Sequence, residues 1–461
     1  MTNERKSAHF IGIGGIGMSA LARMLLQQGW QVTGSDLRPS EITDSLTSHG
    51  AHIYTGHSAE HVRNPDLVVY TAAVKPDNPE LQAAQERGIT TVKRAELLGQ
   101  LMAGKRGIAV AGTHGKTTTT ALTGLVLTRA GLDPTVFVGG EVPELGGNYR
   151  EGSGDILIAE ADEFDGSFLQ LKPAIAVVTN VEPEHLDFYG SFELMIQAFR
   201  RFMDGTTGAV VYCHDDSVLA NSATVLREPG SAGILPARIS YGFHSDARWH
   251  ADLLRPNDAG GTDFLARLDG SPYAEFSLRI PGRHNVANAL AAIAVGHLEG
   301  VPQKTIQEAL AEFGGVKRRF QVLGTATGVT VVDDYAHHPT EVQATLAAAK
   351  QRYPSRRIQC LFQPHTYSRT RTLMHLFEHA FDDADRVWIT DIYPAREQNL
   401  WNVSAEELVR NIRHPSVRFV GDLGQALTQV LREAEPGILL LLGAGDIYHL
   451  GSQLLERMGE C

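Results

Sequence analysis

The sequence predicts an α/β protein of three domains, each built on a largely parallel sheet with helices over its faces. Three observations predict it. Short apolar runs alternate with helix-forming stretches along most of the 461 residues, which is the rhythm of repeated βαβ units. Two strand-to-helix junctions, "FIGIGGIGMSALA" at 10–22 and "GIAVAGTHGKTTTTAL" at 107–122, are glycine-rich turns. Between about 236 and 281 the rhythm changes to closely spaced short runs, read as a small antiparallel addition.

In the first block, 1–103, the runs "HFIGIG", "QVTGSD", "HIYTG" and "DLVVYTAA" are the strands, and "LMAGKRG" at 101–107 reads as a linker. The central block, 104–321, opens with "GIAVAG" and continues through "PTVFVGG", "DILIAE", "AIAVVTN" and "GAVVYC". Such unbroken apolar strands belong to a sheet covered on both faces. The runs "RISYGF", "WHADLL", "DFLARL" and "AEFSLRI" form the antiparallel addition, and "NVANALAAIAVGHLEG" is a helix. In the third block, 322–461, "VTVVDDY", "RIQCLFQP", "RVWITDIY", "VRFVG" and "GILLLLGAG" punctuate five helical segments. The clearest of these is "PTEVQATLAAAKQRY", with Pro339 in the first turn, where a missing N–H costs nothing.

Bulk composition narrows the function. The net charge of −12 excludes a nucleic-acid binder that relies on a basic surface, yet leaves small anionic ligands open. Cys213, Cys360 and Cys461 are odd in number and have no metal-ligand spacing, so a reducing compartment and non-catalytic thiols are expected. The start "MTNERKSAHFIG" has no apolar signal core, and no run approaches the ~18–20 apolar residues that cross a bilayer. A cytoplasmic protein with no membrane association is expected, and nothing in the chain implies an obligatory protein partner.

The first turn satisfies G-x-G-x-x-G through Gly12, Gly14 and Gly17, between a strand and a helix, and Asp36 ends the next strand. The glycines let the backbone approach a diphosphate that then faces a helix N-terminus. The motif makes this block Rossmann-like and predicts a diphosphate ligand without saying which nucleotide carries it. The second turn, "GTHGKTTTT", is a phosphate loop in which Lys116 reaches the β/γ oxygens of ATP and the Thr117 hydroxyl ligates Mg²⁺. Gly112 stands only three residues before Gly115, a shorter loop than G-x-x-x-x-G-K-[ST]. "DILIAEADEFDG" runs a buried strand into Glu160, Asp162, Glu163 and Asp165, one of which belongs in a metal-ligand position. The next strand delivers His185 to the same sheet edge.

"GTHGKTTTT", "EADEFD", "NVEPEHLDFYGS", "PGRHNVANALAA", "GVKRRFQ" and "VVDDYAHHPTEV" occur in this order, and together they resemble the Mur ligases of peptidoglycan synthesis over nearly the whole chain. "GIGGIGMS", "DDYAHHP" and "QPHTYSRT" are most similar to members that add L-alanine to UDP-N-acetylmuramate. The resemblance implies a UDP-substrate domain (1–103), an ATP-binding P-loop domain (104–321) and a Rossmann-like amino-acid domain (322–461). It implies that Gly12, Ile13, Gly14, Gly15, Ile16, Gly17 and Asp36 hold the UDP-sugar. Gly112, Thr113, His114, Gly115, Lys116, Thr117 and Thr118 would hold ATP, with Asn285, Asn288, Arg319 and Asp334. Thr117, Glu160 and His185 would ligate Mg²⁺, two ions in all, and Lys116, Glu160, His185 and Arg319 would be catalytic. Tyr335, His337 and Arg369 would surround the alanine; many members carry Arg where Thr366 stands, which puts more of the carboxylate recognition on Arg369. Two rival functions are a recycling ligase that adds a tripeptide and a nicotinamide-dependent dehydrogenase. The latter leaves "GTHGKT", Glu160 and His185 unexplained.

Overall fold

The computed structural model describes residues 5–221 and 236–459, so Cys461 of the cysteine argument lies outside the described residues. Contacts group the chain into two compact units, Met1–His250 with Ala289–Ala309, and Ala251–Asn288 with Leu310–Cys461. The helix Arg283–Leu298 is shared between them, its first residues through Asn288 counting with the second unit.

The first unit holds two sheets. The N-terminal one is all parallel, in the order His52–Thr55, Gln31–Asp36, Ser7–Ile11, Leu67–Tyr70, Thr91–Lys93. The chain starts in the middle strand, winds outward, then returns to the other side, so strand order reverses beside Ser7–Ile11. Ligands of open α/β sheets bind at that reversal. Thr91–Lys93, a short half-exposed strand, escapes the sequence reading. The expected linker at 101–107 shrinks to two residues. Leu101–Ala103 finish the helix Arg94–Ala103, whose Leu97, Leu98 and Met102 are buried, and Arg106 already opens a strand.

The second sheet runs Ala237–Gly242, Ala209–Cys213, Ile175–Val178, Arg106–Ala111, Ile156–Glu160, Thr135–Val142, Gly147–Arg150. All neighbours are parallel except the last pair. The short runs after 236 do not form a wholly antiparallel addition. Ala237–Gly242 pairs parallel to Ala209–Cys213, and Trp249 and His250 continue parallel beside Tyr241 and Gly242. The chain between 213 and 237 is long enough for the crossover that parallel pairing needs. Antiparallel pairing is seen between Thr262–Leu268 and Ser271–Leu278, in the second unit.

The second unit's large sheet runs Gln321–Ala326, Val329–Asp334, Gly437–Leu442, Ile358–Phe362, Arg386–Thr390, Val417–Gly421, parallel apart from the first strand. Among the described residues the five helical segments expected after Val329 are present, from Pro339–Arg352 to Leu450–Gly459. "GILLLL" is apolar throughout because both faces are covered: Ile438, Leu440 and Leu442 enter one core, Leu439 and Leu441 the other. No helix among the described residues is long and apolar enough to cross a membrane.

Gly99 shows how tightly the first unit is packed. A Cβ there would come 2.5 Å from the Gln170 carbonyl oxygen, which is backbone and cannot swing away. Ala normally improves a helix interior by about 1 kcal/mol over Gly. Gly99→Ala is nevertheless expected to destabilise by about 1–3 kcal/mol through overpacking, read as a lower melting temperature; a higher one contradicts this packing.

Candidate active site

Two helices of the first unit begin at glycines with no side chain bonded to the first turn: Ile16–Gln27 after Gly15, and Lys116–Arg129 after Gly115. Other helices are capped by Ser40, Asn78, Ser191 or Asp422. Uncapped first-turn N–H groups are open to an anion, so both glycine turns keep the donors that a phosphate needs.

The second turn is shaped by the strand beside it. Gly112 has φ 131°, a region closed to other residues, and a Cβ there would overlap Thr179 Oγ1. Asn180 clamps the turn, accepting the His114 N–H at 2.8 Å through its side chain and donating to the His114 carbonyl at 3.1 Å. Lys116 Nζ donates to the carbonyls of Gly112 (2.5 Å) and Thr113 (3.2 Å) and to both oxygens of the buried Glu163 (2.9 and 2.8 Å). Burial opposes the charge on Lys116, but Glu163, Asp162 and Glu160 outweigh it and raise its pKa. Burial pushes Glu163 up to about 7 against the pull of Lys116. Thr113 and Thr118 are buried at the turn, and His114 lies 3.5 Å from Glu182.

Of the three expected metal ligands, Glu160 and Thr117 are brought together: the Thr117 hydroxyl donates to Glu160 Oε2 at 3.3 Å. Glu160 Oε1 accepts the backbone N–H of Gly139, which lies too close for a Cβ at that position. His185 has φ 54° and starts the short helix Leu186–Tyr189, its ring edge-on to Phe164 of the acidic loop at 5.0 Å. The remaining acids face bases where the first sheet's last strand meets its helix: Asp162 lies 3.4 Å from Arg94 and Asp165 3.9 Å from Lys93. Arg94 also presses on the first turn, where a Cβ on Gly17 would come 2.9 Å from its Nη1.

In that first turn Gly12 has φ 81°, and the Ser35 carbonyl accepts the N–H groups of Gly12 (2.8 Å) and Ile13 (3.0 Å). The Asp36 carboxylate accepts the Gly14 N–H at 2.9 Å, so Asp36 holds the turn itself. Asn148 donates to the Ile16 carbonyl at 2.7 Å.

The second unit gathers the other expected residues. Asn285, buried, donates to the Pro281 carbonyl at 2.7 Å, and Asn288 donates to Asn285 at 3.2 Å. Asp334 accepts the N–H groups of Phe320 (2.7 Å) and Ala336 (2.8 Å), and burial lifts it to about 6. Arg319 lies 3.7 Å from Glu341 and 5.3 Å from the Tyr335 ring centroid. Glu341 accepts the His337 backbone N–H at 3.0 Å. The His337 ring meets Tyr335 and His365 edge-on, and His365 stacks on Tyr393 at 5.6 Å. Arg369 Nη1 donates to His365 Nδ1 at 2.7 Å, and Thr366, at φ 64°, caps the helix that carries Arg369. Tyr335, His337, His365 and Tyr393 thus meet ring to ring, with Arg319 against Tyr335 and Arg369 against His365.

Three family models match in chain order: Mur ligase family, catalytic domain at 7–106, Mur ligase middle domain at 110–296, and Mur ligase, glutamate ligase domain at 318–445. The chain belongs to the Mur ligase family. It is 47% identical to a UDP-N-acetylmuramate–L-alanine ligase of Geobacter sp. (strain M21), covering 99% of both chains. It is 46% identical to the enzyme of that name from Caldanaerobacter subterraneus subsp. tengcongensis, covering 98% of both. Among solved structures it is similar to the UDP-N-acetylmuramate-alanine ligase of Thermotoga maritima, with a TM-score of 0.84, 32% identity and coverage of 98% and 99%. The murein peptide ligase of Psychrobacter arcticus shares the fold at a TM-score of 0.73 and 24% identity, covering 99% of both chains.

The sequence reading singles out Glu160 among the four acids, whereas Glu163 is the one that holds Lys116. Arg94, Asn180, Glu341, His365 and Tyr393 are site neighbours that no spacing announces. Glu163 supplies a pH test. Its folded pKa of about 7 exceeds its ordinary 4.5, so the native state holds the extra proton and stability falls as pH rises from about 4.5 through 7. Glu163→Gln is expected to flatten that part of the melting-temperature profile; an unchanged slope contradicts the assignment.

Proposed function

We propose that this chain joins L-alanine to the lactyl carboxylate of UDP-N-acetylmuramate, consuming ATP, as a cytoplasmic step of peptidoglycan precursor synthesis. The observation that carries the reading is end-to-end identity of 47% with a relative of that name, in a chain whose phosphate loop sets Lys116 against Glu163 and Thr117 against Glu160. Residues 1–103 hold the UDP-sugar, 104–321 ATP, and 322–461 the amino acid.

A carboxylate is a poor electrophile, and forming an amide in water is uphill. The lactyl carboxylate attacks the γ-phosphorus of ATP and ADP departs, leaving an acyl phosphate. The neutral amine of alanine then attacks the acyl carbon, and inorganic phosphate leaves with the bond that had activated it. The protein's part is positioning and charge neutralisation. Lys116 exchanges its Glu163 contact for phosphate oxygens, and Arg319 neutralises charge on the transferring group. Gly12 to Gly17 fix the sugar nucleotide. Tyr335, His337 and Arg369 orient the alanine, Arg369 through its carboxylate. Thr117 and Glu160 would present oxygen donors to Mg²⁺, the kind that ion prefers, and His185 would be a further ligand, with two ions in all. Bound there, Mg²⁺ supplies positive charge to the phosphate oxygens.

Phosphate release is expected only with ATP, Mg²⁺, UDP-N-acetylmuramate and alanine together. Equal release with L-Ala-γ-D-Glu-diaminopimelate in place of alanine would overturn the reading in favour of a recycling ligase. Lys116→Ala should abolish that release while UDP-sugar binding by calorimetry survives. Arg319→Ala should lower kcat by about 10²–10³, the size of one lost transition-state donor, with ATP affinity changed far less. An unchanged kcat removes Arg319 from phosphoryl transfer.

A further inference from the structure

Beneath the first glycine turn lies a polar cluster that the reaction does not use directly. Glu80, fully buried, sits in the first turn of the helix Pro79–Glu86, where the helix dipole favours a carboxylate. Its Oε2 accepts from the Ser35 hydroxyl at 2.5 Å and lies 2.8 Å from His57 Nδ1. Its Oε1 lies 2.8 Å from His61 Nδ1 and 3.5 Å from His9 Nε2. His9 is itself bonded to Thr33 at 2.8 Å, and His61 stacks on Tyr54 at 4.2 Å. Burial alone would raise the carboxyl, but His9, Ser35 and His61 beside it outweigh that and bring it down to about 2. The cluster leads to the turn by one residue. Ser35 gives its hydroxyl to Glu80, and its carbonyl accepts both the Gly12 and the Ile13 N–H.

We propose that Glu80 is a positioning residue for the sugar nucleotide, holding the first glycine turn in its binding shape through Ser35. This rests on the reading that the turn binds the UDP-sugar. The buried carboxylate gathers the Ser35 hydroxyl, His57 and His61 around it, and His57 Nδ1 also lies 3.0 Å from that hydroxyl. The strand ladder to Ile11 and Tyr54 sets where the Ser35 carbonyl points, and the Glu80 bond to the Ser35 hydroxyl anchors the strand end that receives the Gly12 and Ile13 N–H groups. Without the carboxylate, Ser35, His57 and His61 lose their common partner, and the strand end that carries the turn loses an anchor.

The test is steady-state kinetics on the full-length enzyme with Glu80→Gln, Ser35→Ala, the double variant and Gly14→Ala. Glu80→Gln should raise KM for UDP-N-acetylmuramate by about tenfold, as expected for loss of a buried charged hydrogen bond, with kcat and KM for ATP within about twofold. Ser35→Ala should raise the same KM, and the double variant should be no worse than Glu80→Gln alone, because the two act in one chain. An unchanged KM in Ser35→Ala, additive effects, or an equal loss in kcat overturns the proposal. Should Glu80→Gln fail to fold, Ser35→Ala alone decides it. Gly14→Ala, whose Cβ would meet Asp36 Oδ2 at 2.8 Å, separates the two layers of the argument. If it leaves that KM unchanged, the reading of the turn falls; if it raises KM while Glu80→Gln does not, only the role of Glu80 falls.

Discussion

A lysine amine taken out of water needs acceptors and negative charge beside it, and Lys116 finds them in Glu163, with Asp162 and Glu160 close by. The pair of Lys116 and Glu163 lies at the N-terminus of a helix whose first turn has no side-chain cap. Around it the backbone turn, the acidic loop and the neighbouring strand all take their places: Gly112 and Thr113 give carbonyls to the amine, while Asn180 and Thr179 hold the peptide of His114. Removing a partner from a buried pair costs more than the pair contributes when whole. An amine held in this way is ready to change partners when phosphate oxygens arrive.

The same acidic loop ties the two glycine turns of the first unit into one framework. Asp162 reaches Arg94, and Arg94 presses on Gly17. Further down, Gly99 admits the Gln170 carbonyl. The loop that supplies Glu163 is thus braced by the helix that closes the N-terminal sheet. Arg94 is a cation beside a turn proposed to hold a diphosphate, and its pairing with Asp162 limits how far it can stray.

Much of this was legible in the chain before any coordinates. Glycines that need positive φ, such as Gly12, Gly112 and Gly115, announce turns, and apolar runs such as "GILLLL" announce strands covered on both sides. Lys116, Thr117 and Glu160 were legible because each sits at a strand or helix end fixed by its own segment. Glu163, Glu341, His365, Tyr393 and Glu80 were not, because their partners are set by sheet register and loop path rather than by spacing. The edge strands Thr91–Lys93 and Gln321–Ala326 were missed for a related reason: half-exposed residues carry little apolar pattern. The parallel pairing of Ala237–Gly242 was misread because close-set runs look like hairpins until the crossover before them is counted.

The account stands on ATP being used to activate the sugar acid's own carboxyl group at the Lys116 turn. Labelling that carboxylate with ¹⁸O and analysing the released phosphate by mass spectrometry tests this most directly. The account predicts one labelled oxygen in each phosphate formed per turnover. Phosphate free of label, with alanine ligated all the same, would contradict it.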